Sequence, residues 1–320
     1  MTAIAPIIFG CRGLHLSDDE QTFFRAANPQ GFILFRRNCV EVAQLKALVR
    51  QLKDCVSHAR PLVLIDEEGG KVQRLPTPPW PFFPACATFG EQAKRDLDTA
   101  AQACYDNACN IAQTLRELNI DINCAPVVDL PTSDADPIIG TRAFSDEPSR
   151  TIALARAYMR GLRAHGIIPI IKHIPGHGRA RVDSHNALPV VDAPLADLKA
   201  HDFHPFKALA SDQPAWSMTA HITYRAIDDT RAATLSPVVI GDIIRTYMGF
   251  DGVLISDDLT MKALSGSLAE RACNALRAGC DLALHCSGDM DDMRAIMENL
   301  PPMHKKSQQR IKKSLEQKRS

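Results

Sequence analysis

The strongest constraint in this chain is an alternation that runs from end to end, in which short apolar runs of strand character take turns with stretches of helical period. The strand-like runs fall at 4–9, 31–35, 62–66, 120–128, 167–172, 215–219, 252–256 and 281–285. Between them, helical patterns begin at a Ser17 N-cap, cover 40–57, 96–118 and 149–165 with Ser149 as cap, and recur near 195–210, 236–248 and 267–278. The run 31–35 is continuously apolar, as expected of a strand covered on both faces. A doubly wound open sheet usually stops at about five to seven strands, whereas a closed barrel needs eight. The expected fold is therefore α/β, a single-domain (β/α)8 TIM barrel, with room for irregular or missing barrel elements.

Length alone leaves the choice open, because 320 residues accommodate two ordinary domains or one barrel of roughly 250 residues or more. Eight βα units and three long loops after strands, 69–90, 131–148 and 174–194, consume nearly all of it. One catalytic barrel over 1–320 is expected, with no room for a second domain and with a basic helical tail at about 303–320 that reads as a solvated terminal helix. Lys+Arg and Asp+Glu both number 37, a balance that argues against a nucleic-acid partner. Apolar residues at 45% and charged ones at 23% exclude disorder as a global description. The ten cysteines contain no Cys-x-x-Cys pair and read as small buried hydrophobes. The first ten residues lack the basic leader of a signal peptide, and no run approaches the roughly 18 apolar residues of a membrane span. A reducing, cytoplasmic location without membrane contact is the expectation, and a monomer.

In a barrel, the residues just past the C-terminal end of each strand converge on one pocket. Polar groups recur there. The third strand ends in Asp66-Glu67-Glu68-Gly69-Gly70, with Arg74 eight residues after Asp66, and the fourth runs into Asp129, its loop carrying Gly140-Thr141-Arg142-Ala143-Phe144. The fifth ends in Lys172-His173-Ile174-Pro175-Gly176-His177-Gly178, followed by Asp183-Ser184-His185; the sixth ends in Thr219-Ala220-His221 and the seventh in Ser256-Asp257-Asp258. Singly, these read as a glycine turn, a surface arginine, structural histidines and a helix N-cap. Together, at five strand ends, they point to one active site.

The residue types suggest its chemistry. Asp183 and His185 are two apart, so in an extended segment their side chains share a face and touch. A carboxylate on one imidazole nitrogen holds the tautomer and makes the other nitrogen a usable general acid and then base. Asp257, at the end of a buried strand, is a fixed carboxylate suited to nucleophilic attack. Arg74, Arg142 and Lys172 would keep that carboxylate ionised. Asp66, Arg74, Lys172 and His173 offer the dense donor and acceptor set that a polyhydroxylated sugar requires.

With KHIPGHG, then DSH, then SDDL in that order, the chain resembles the β-N-acetylhexosaminidases of glycoside hydrolase family 3, particularly the bacterial single-domain enzymes of peptidoglycan recycling. The stretches 66–74 (DEEGGKVQR) and 140–144 (GTRAF) support the likeness, and Ile174 stands where the family usually has phenylalanine. The resemblance implies a retaining hydrolase that removes terminal, non-reducing β-linked N-acetylglucosamine (GlcNAc). It implies Asp257 as the nucleophile that forms a glycosyl-enzyme, and His185, paired with Asp183, as acid/base on a mobile loop. Asp66, Arg74, Arg142, Lys172 and His173 would bind the sugar. A His–Asp pair is unusual, since most retaining glycosidases donate the proton from a second carboxylic acid. The implied substrate is GlcNAc-1,6-anhydro-N-acetylmuramic acid, with or without its peptide, cleaved in the cytoplasm during cell-wall recycling that serves cell shape and division; no cofactor and no metal are implied.

Three other readings compete. A metal-dependent barrel hydrolase would use His173, His177, His185, His221 and Asp257 as ligands, but Cys11-Arg12-Gly13-Leu14-His15 follows the first strand where such barrels commonly begin with His-x-His. A sugar-binding protein without chemistry has no need of Asp257 and the Asp183/His185 pair. A family relative could act on β-glucosides or use phosphate in place of water, although multi-domain glucosidase relatives take their acid from a second domain and lack the DSH loop.

Overall fold

The structure, a computed structural model, describes residues 3–212 and 216–317. Eight strands, β1 (Ala5–Phe9), β2 (Pro29–Leu34), β3 (Leu62–Ile65), β4 (Ile122–Asn123), β5 (Ile168–Ile174), β6 (Trp216–Thr219), β7 (Leu254–Asp258) and β8 (Leu282–His285), close into a ring in sequence order. Neighbouring pairs are parallel, from Gly31 opposite Leu62 between β2 and β3 to Ile7 opposite Ala283 at the closing seam. Ala215, expected to begin the sixth strand, lies outside the described residues. The helices are α1 (Asp18–Ala27), α2 (Val42–Asp54), α3 (Cys86–Ala93), α4 (Leu97–Glu117), α5 (Pro148–Ala164), α6 (Leu195–Ala200), α7 (His204–Leu209), α8 (Leu268–Ala278), α9 (Met290–Asn299) and α10 (Lys305–Gln317).

Side chains alternate across each strand, and this decides what the barrel encloses. Leu62 and Leu64, Ile168 and Ile170, Trp216 and Met218, and Leu282 and Leu284 belong to one buried cluster inside the ring. Val63, Ile171 and Ala283, each next to one of these and facing the other way, join the larger cluster beneath the helices. Both faces are covered, which is why the strands read as uninterrupted apolar runs.

Four local expectations change. The fourth run, expected over 120–128, pairs through Ile122 and Asn123, with one further bridge from Val127 to Lys172; Pro126 has no N–H to continue the ladder. The cap of α5 is Glu147 rather than Ser149, its carboxylate accepting the N–H groups of Ser149 and Arg150 at 2.9 Å each, with Pro148 opening the helix. The stretch 195–210 is two short helices, α6 and α7, the second with Pro205 in its first turn. The helix near 236–248 is a π-helix at Val239–Tyr247. Helices α3, within the proline-rich loop after β3, and α9, after β8, add elements the alternation did not reveal.

The tail is the largest correction. Ser307, Ile311, Ser314 and Leu315, at i, i+4, i+7 and i+8, form one buried face of α10, while Lys312 and Lys313 are exposed. Ile311 and Leu315 pack into the cluster inside the barrel. The Trp216 indole N–H donates to Ser314 Oγ at 2.8 Å, Ser307 Oγ donates to Asp281 Oδ1 at 2.7 Å, and Arg310 Nη1 meets the same oxygen at 3.1 Å. These partners sit at or just before the first residues of β6 and β8, so α10 is the floor of the barrel and its open end is the opposite one. Residues 318–320 of the expected tail lie outside the described residues. No described helix is long and apolar enough to cross a membrane.

Candidate active site

The register that buries Leu62 and Leu64 carries Asp66 inward two residues later; in the same way Ile168 and Ile170 lead to Lys172, and Val253 and Ile255 to Asp257. All three line a cavity of about 340 Å³ at the C-terminal ends of the strands. Arg74, Arg142, His173 and His185 line it as well, so the structure brings together the expected site residues, with Asp183 just behind His185.

Five charged side chains form a chain across this cavity. Arg74 Nη2 donates to Asp66 Oδ2 at 3.1 Å, Lys172 Nζ to Asp66 Oδ1 at 2.9 Å, and the same Nζ stands 2.6 Å from Glu68 Oε1. The Arg142 guanidinium closes a two-pronged contact on Glu68, Nε and Nη2 each at 2.9 Å. Burial would raise the Asp66 carboxyl, but Lys172 and Arg74 hold it well below the usual carboxylate range. Burial likewise opposes ionisation of Glu68, yet Lys172 and Arg142 bring it down to about 2. Lys172, which burial alone would discharge, is kept protonated by Asp66 and Glu68. Removal of one member would leave a buried charge uncompensated, so the network stands or falls together. Glu68 was absent from the expected site; its signal was the inward register 62, 64, 66, 68.

A second buried group orders the histidines. Asp129 accepts the His173 N–H at 3.1 and 3.2 Å, the His173 Nδ1–H at 2.7 Å and the His177 N–H at 2.6 Å. The ring proton of His173 is therefore on Nδ1, and Nε2 is left for a ligand. At the end of β7, the two aspartates divide. Asp258 accepts from Thr260 N at 3.0 Å, Thr260 Oγ1 at 2.6 Å and Cys286 N at 3.2 Å, whereas Asp257 accepts the Asp258 N–H at 2.8 Å. Burial pushes the Asp257 carboxyl up; His221, His173, the Asp258 N–H and Lys172 outweigh it and hold it below its ordinary value. Burial drives the His221 ring itself towards its neutral form, whereas Lys172, held protonated by Asp66 and Glu68, acts on Asp257 as a lasting cation.

Asp183 and His185 do meet, though by a turn rather than by an extended segment. Asp183 Oδ1 accepts both the His185 N–H at 2.9 Å and its Nδ1–H at 2.7 Å, a closure only a reversed backbone allows. Burial would raise the Asp183 carboxyl, and these two bonds hold it lower. The His185 side chain is 61% exposed. Of the proposed metal ligands, His177 Nε2 meets Ser184 Oγ at 3.2 Å, and His221 spends its nitrogens on Thr234 Oγ1 at 2.7 Å and the Asp258 carbonyl at 3.0 Å. Among the described residues no three His, Cys, Asp or Glu side chains are arranged to hold a metal ion.

Residues 12–317 match the glycosyl hydrolase family 3 N-terminal domain. The chain belongs to glycosyl hydrolase family 3. It is 35% identical over 298 residues to a β-hexosaminidase of Psychromonas ingrahamii, covering 92% of this chain and 86% of that one, and 33% identical over 316 residues to a β-hexosaminidase of Idiomarina loihiensis, covering 98% and 93%. Native NagZ from Neisseria gonorrhoeae superimposes with a TM-score of 0.89 at 32% identity over 98% of this chain and 90% of that one. The same protein in complex with N-trifluoroacetyl-D-glucosamine gives a TM-score of 0.90 at 30% identity, covering 98% and 93%. A β-N-acetylglucosaminidase from Paenibacillus sp. str. FPU-7 is longer: the chain spans 61% of it, with a TM-score of 0.90 and 31% identity. This family 3 chain is thus a glycoside hydrolase, and the (β/α)8 expectation holds.

Proposed function

We propose that the chain is a retaining β-N-acetylglucosaminidase that removes a terminal, non-reducing β-linked GlcNAc. The observation that carries this reading is the position of Asp257, an ionised and lightly hydrogen-bonded carboxylate at the inward end of β7, in one cavity with His185 and the Asp66–Lys172–Glu68 network. Asp257 attacks the anomeric carbon, the bond to the leaving oxygen breaks, and His185 Nε2 gives that oxygen a proton. Asp183 on Nδ1 keeps the ring turned so that Nε2 makes the transfer. Water then attacks the glycosyl ester, returns a proton to His185 and frees Asp257, so two inversions leave the β configuration. Asp66, Arg74, Arg142, Lys172 and His173 hold the sugar hydroxyls and acetamido group; with Glu68 and Asp257 counted beside Asp66, three carboxylates balance Arg74, Arg142 and Lys172, so the site presents fixed dipoles rather than a net field, which suits a neutral sugar.

Similarity to bacterial β-hexosaminidases of comparable length supports the finer reading, GlcNAc-1,6-anhydro-N-acetylmuramic acid with or without peptide as substrate, in cytoplasmic cell-wall recycling. The test is an assay of 4-nitrophenyl β-GlcNAc beside the β-glucoside, in water and in phosphate, and of the anhydro-disaccharide by mass spectrometry. Wild type releases GlcNAc from the first and the last, and Asp257→Ala loses roughly three orders of magnitude or more in kcat/KM. Preference for the glucoside, or appearance of a sugar phosphate, would replace this reading.

A further inference from the structure

Ser184 stands between Asp183 and His185, and its surroundings differ from theirs. From Arg181 to Leu188 it is the one buried residue, at 4% exposure, while its neighbours on both sides are exposed or half-buried. Two bonds hold it. Its Oγ hydrogen-bonds His177 Nε2 at 3.2 Å, and its carbonyl accepts the Ala263 N–H at 3.2 Å. The other bonds of this turn, from the N–H groups of Asn186 and Ala187 to the Asp183 carbonyl, stay within it and give no hold on the barrel.

His177, by contrast, is part of the rigid rim. Its ring is buried, its N–H is held by Asp129 at 2.6 Å, and the next carbonyl, of Gly178, accepts the Thr132 N–H at 3.0 Å. Gly178 is pressed so closely on the loop after β4 that a Cβ would lie 1.8 Å from the Leu130 carbonyl oxygen. The Nδ1 of His177 is buried and has no partner among the described residues, where Ser184 is the hydrogen-bond partner of this ring.

We propose that Ser184 is a positioning residue, its hydrogen bond to His177 pinning to the barrel rim the turn that carries Asp183 and His185. The proposal rests on the reading of His185 as the acid/base. An exposed turn held by one side-chain bond and one backbone bond loosens locally when the side-chain bond is removed, the Ala263 N–H remaining as its other hold. The consequence falls on proton transfer and leaves sugar binding alone, because Asp66, Arg74, Arg142, Lys172 and His173 belong to other elements. Ser184→Ala therefore loses kcat/KM selectively, in proportion to how much the leaving group needs a proton.

The experiment compares wild type, Ser184→Ala, Ser184→Thr and His185→Ala on phenyl β-GlcNAc, whose leaving group needs protonation, and on 2,4-dinitrophenyl β-GlcNAc, whose leaving group does not. The expected result for Ser184→Ala is a loss of about tenfold or more on the phenyl substrate and less than about threefold on the dinitrophenyl one, with Ser184→Thr recovering most of the difference. Equal losses on both substrates, with or without a fall in Tm, mark a merely structural serine and overturn the proposal, as does no loss at all. If His185→Ala discriminates between the substrates and Ser184→Ala does not, the pin alone is wrong. If His185→Ala fails to discriminate, the acid/base reading is wrong and the pin goes with it.

Discussion

Three consecutive carboxyl groups at the end of β3 meet opposite environments one residue apart. Asp66 and Glu68 point into the cavity, meet cations and stay ionised. Glu67 points the other way, is fully buried, and accepts the Arg74 and Leu75 N–H groups on Oε2 at 2.9 and 3.0 Å, while Oε1 has no partner among the described residues. Burial pushes its carboxyl up to about 8. A carboxyl raised above its unfolded value contributes stability that is complete below the ordinary glutamate range and is lost as pH climbs to about 8. Glu67→Gln should therefore match wild type near pH 5 and exceed it by about 2–4 kcal/mol above pH 8. Thermal melts of both proteins across this range check it, and a Tm difference that does not change with pH would refute the assignment. Asp66, Arg74, Arg142, Lys172, His173, Asp183, His185 and Asp257 were legible because strand ends and motif order mark them. Glu68 and Asp129 stood at strand ends too, but their roles were not legible, because what distinguishes them is the partner each meets from a distant part of the chain: Arg142 for one, His173 and His177 for the other.

Elements were legible in proportion to how one-sided their chemistry is. The strands lie between the barrel interior and the helices, so most of their residues are apolar and the runs stand out; β4 shortened because a proline ends its ladder. Helix α10 misled for the converse reason: from Lys305 to Glu316 the buried positions are four, two of them serines, and form a stripe too narrow to outweigh its lysines. Its role follows from what stands opposite it, Trp216 and Asp281, which sequence periodicity does not record. Ile311, 5% exposed, packs into the barrel interior from below. Ile311→Ala should cost about 2–4 kcal/mol by leaving a cavity between floor and barrel. Turnover at 25 °C should stay within about twofold of wild type, because the catalytic cavity is at the other end. Denaturant unfolding and a chromogenic assay on one preparation test both halves; a large loss of activity with unchanged stability would mean that α10 reaches the site by another route.

At the scale of the molecule, the zero charge balance is reproduced locally: within the network, Arg74, Arg142 and Lys172 face Asp66 and Glu68, and Asp257 completes the set. The ten cysteines are unpaired, nine buried and Cys109 half-buried. Burial raises the Cys11 and Cys39 thiols to about 12, so neither offers a thiolate to an oxidant. A thiol titration with a disulfide reagent should find about one fast group in the native protein and about ten in guanidinium chloride. Several fast thiols in the native protein would contradict the packing described for the barrel and its helices.

The seam between β1 and β8 also governs when the fold can exist. It joins Ile7 to Ala283, residues 276 positions apart, and every other strand pair must already be in line for that contact to form. While the ribosome is still working through the last quarter of the chain, β1 has only β2 beside it, and its other edge is open to whatever else carries an unpaired strand. The barrel therefore completes late and at once, and a cell making this protein must shelter two strand edges until β8 arrives to join them.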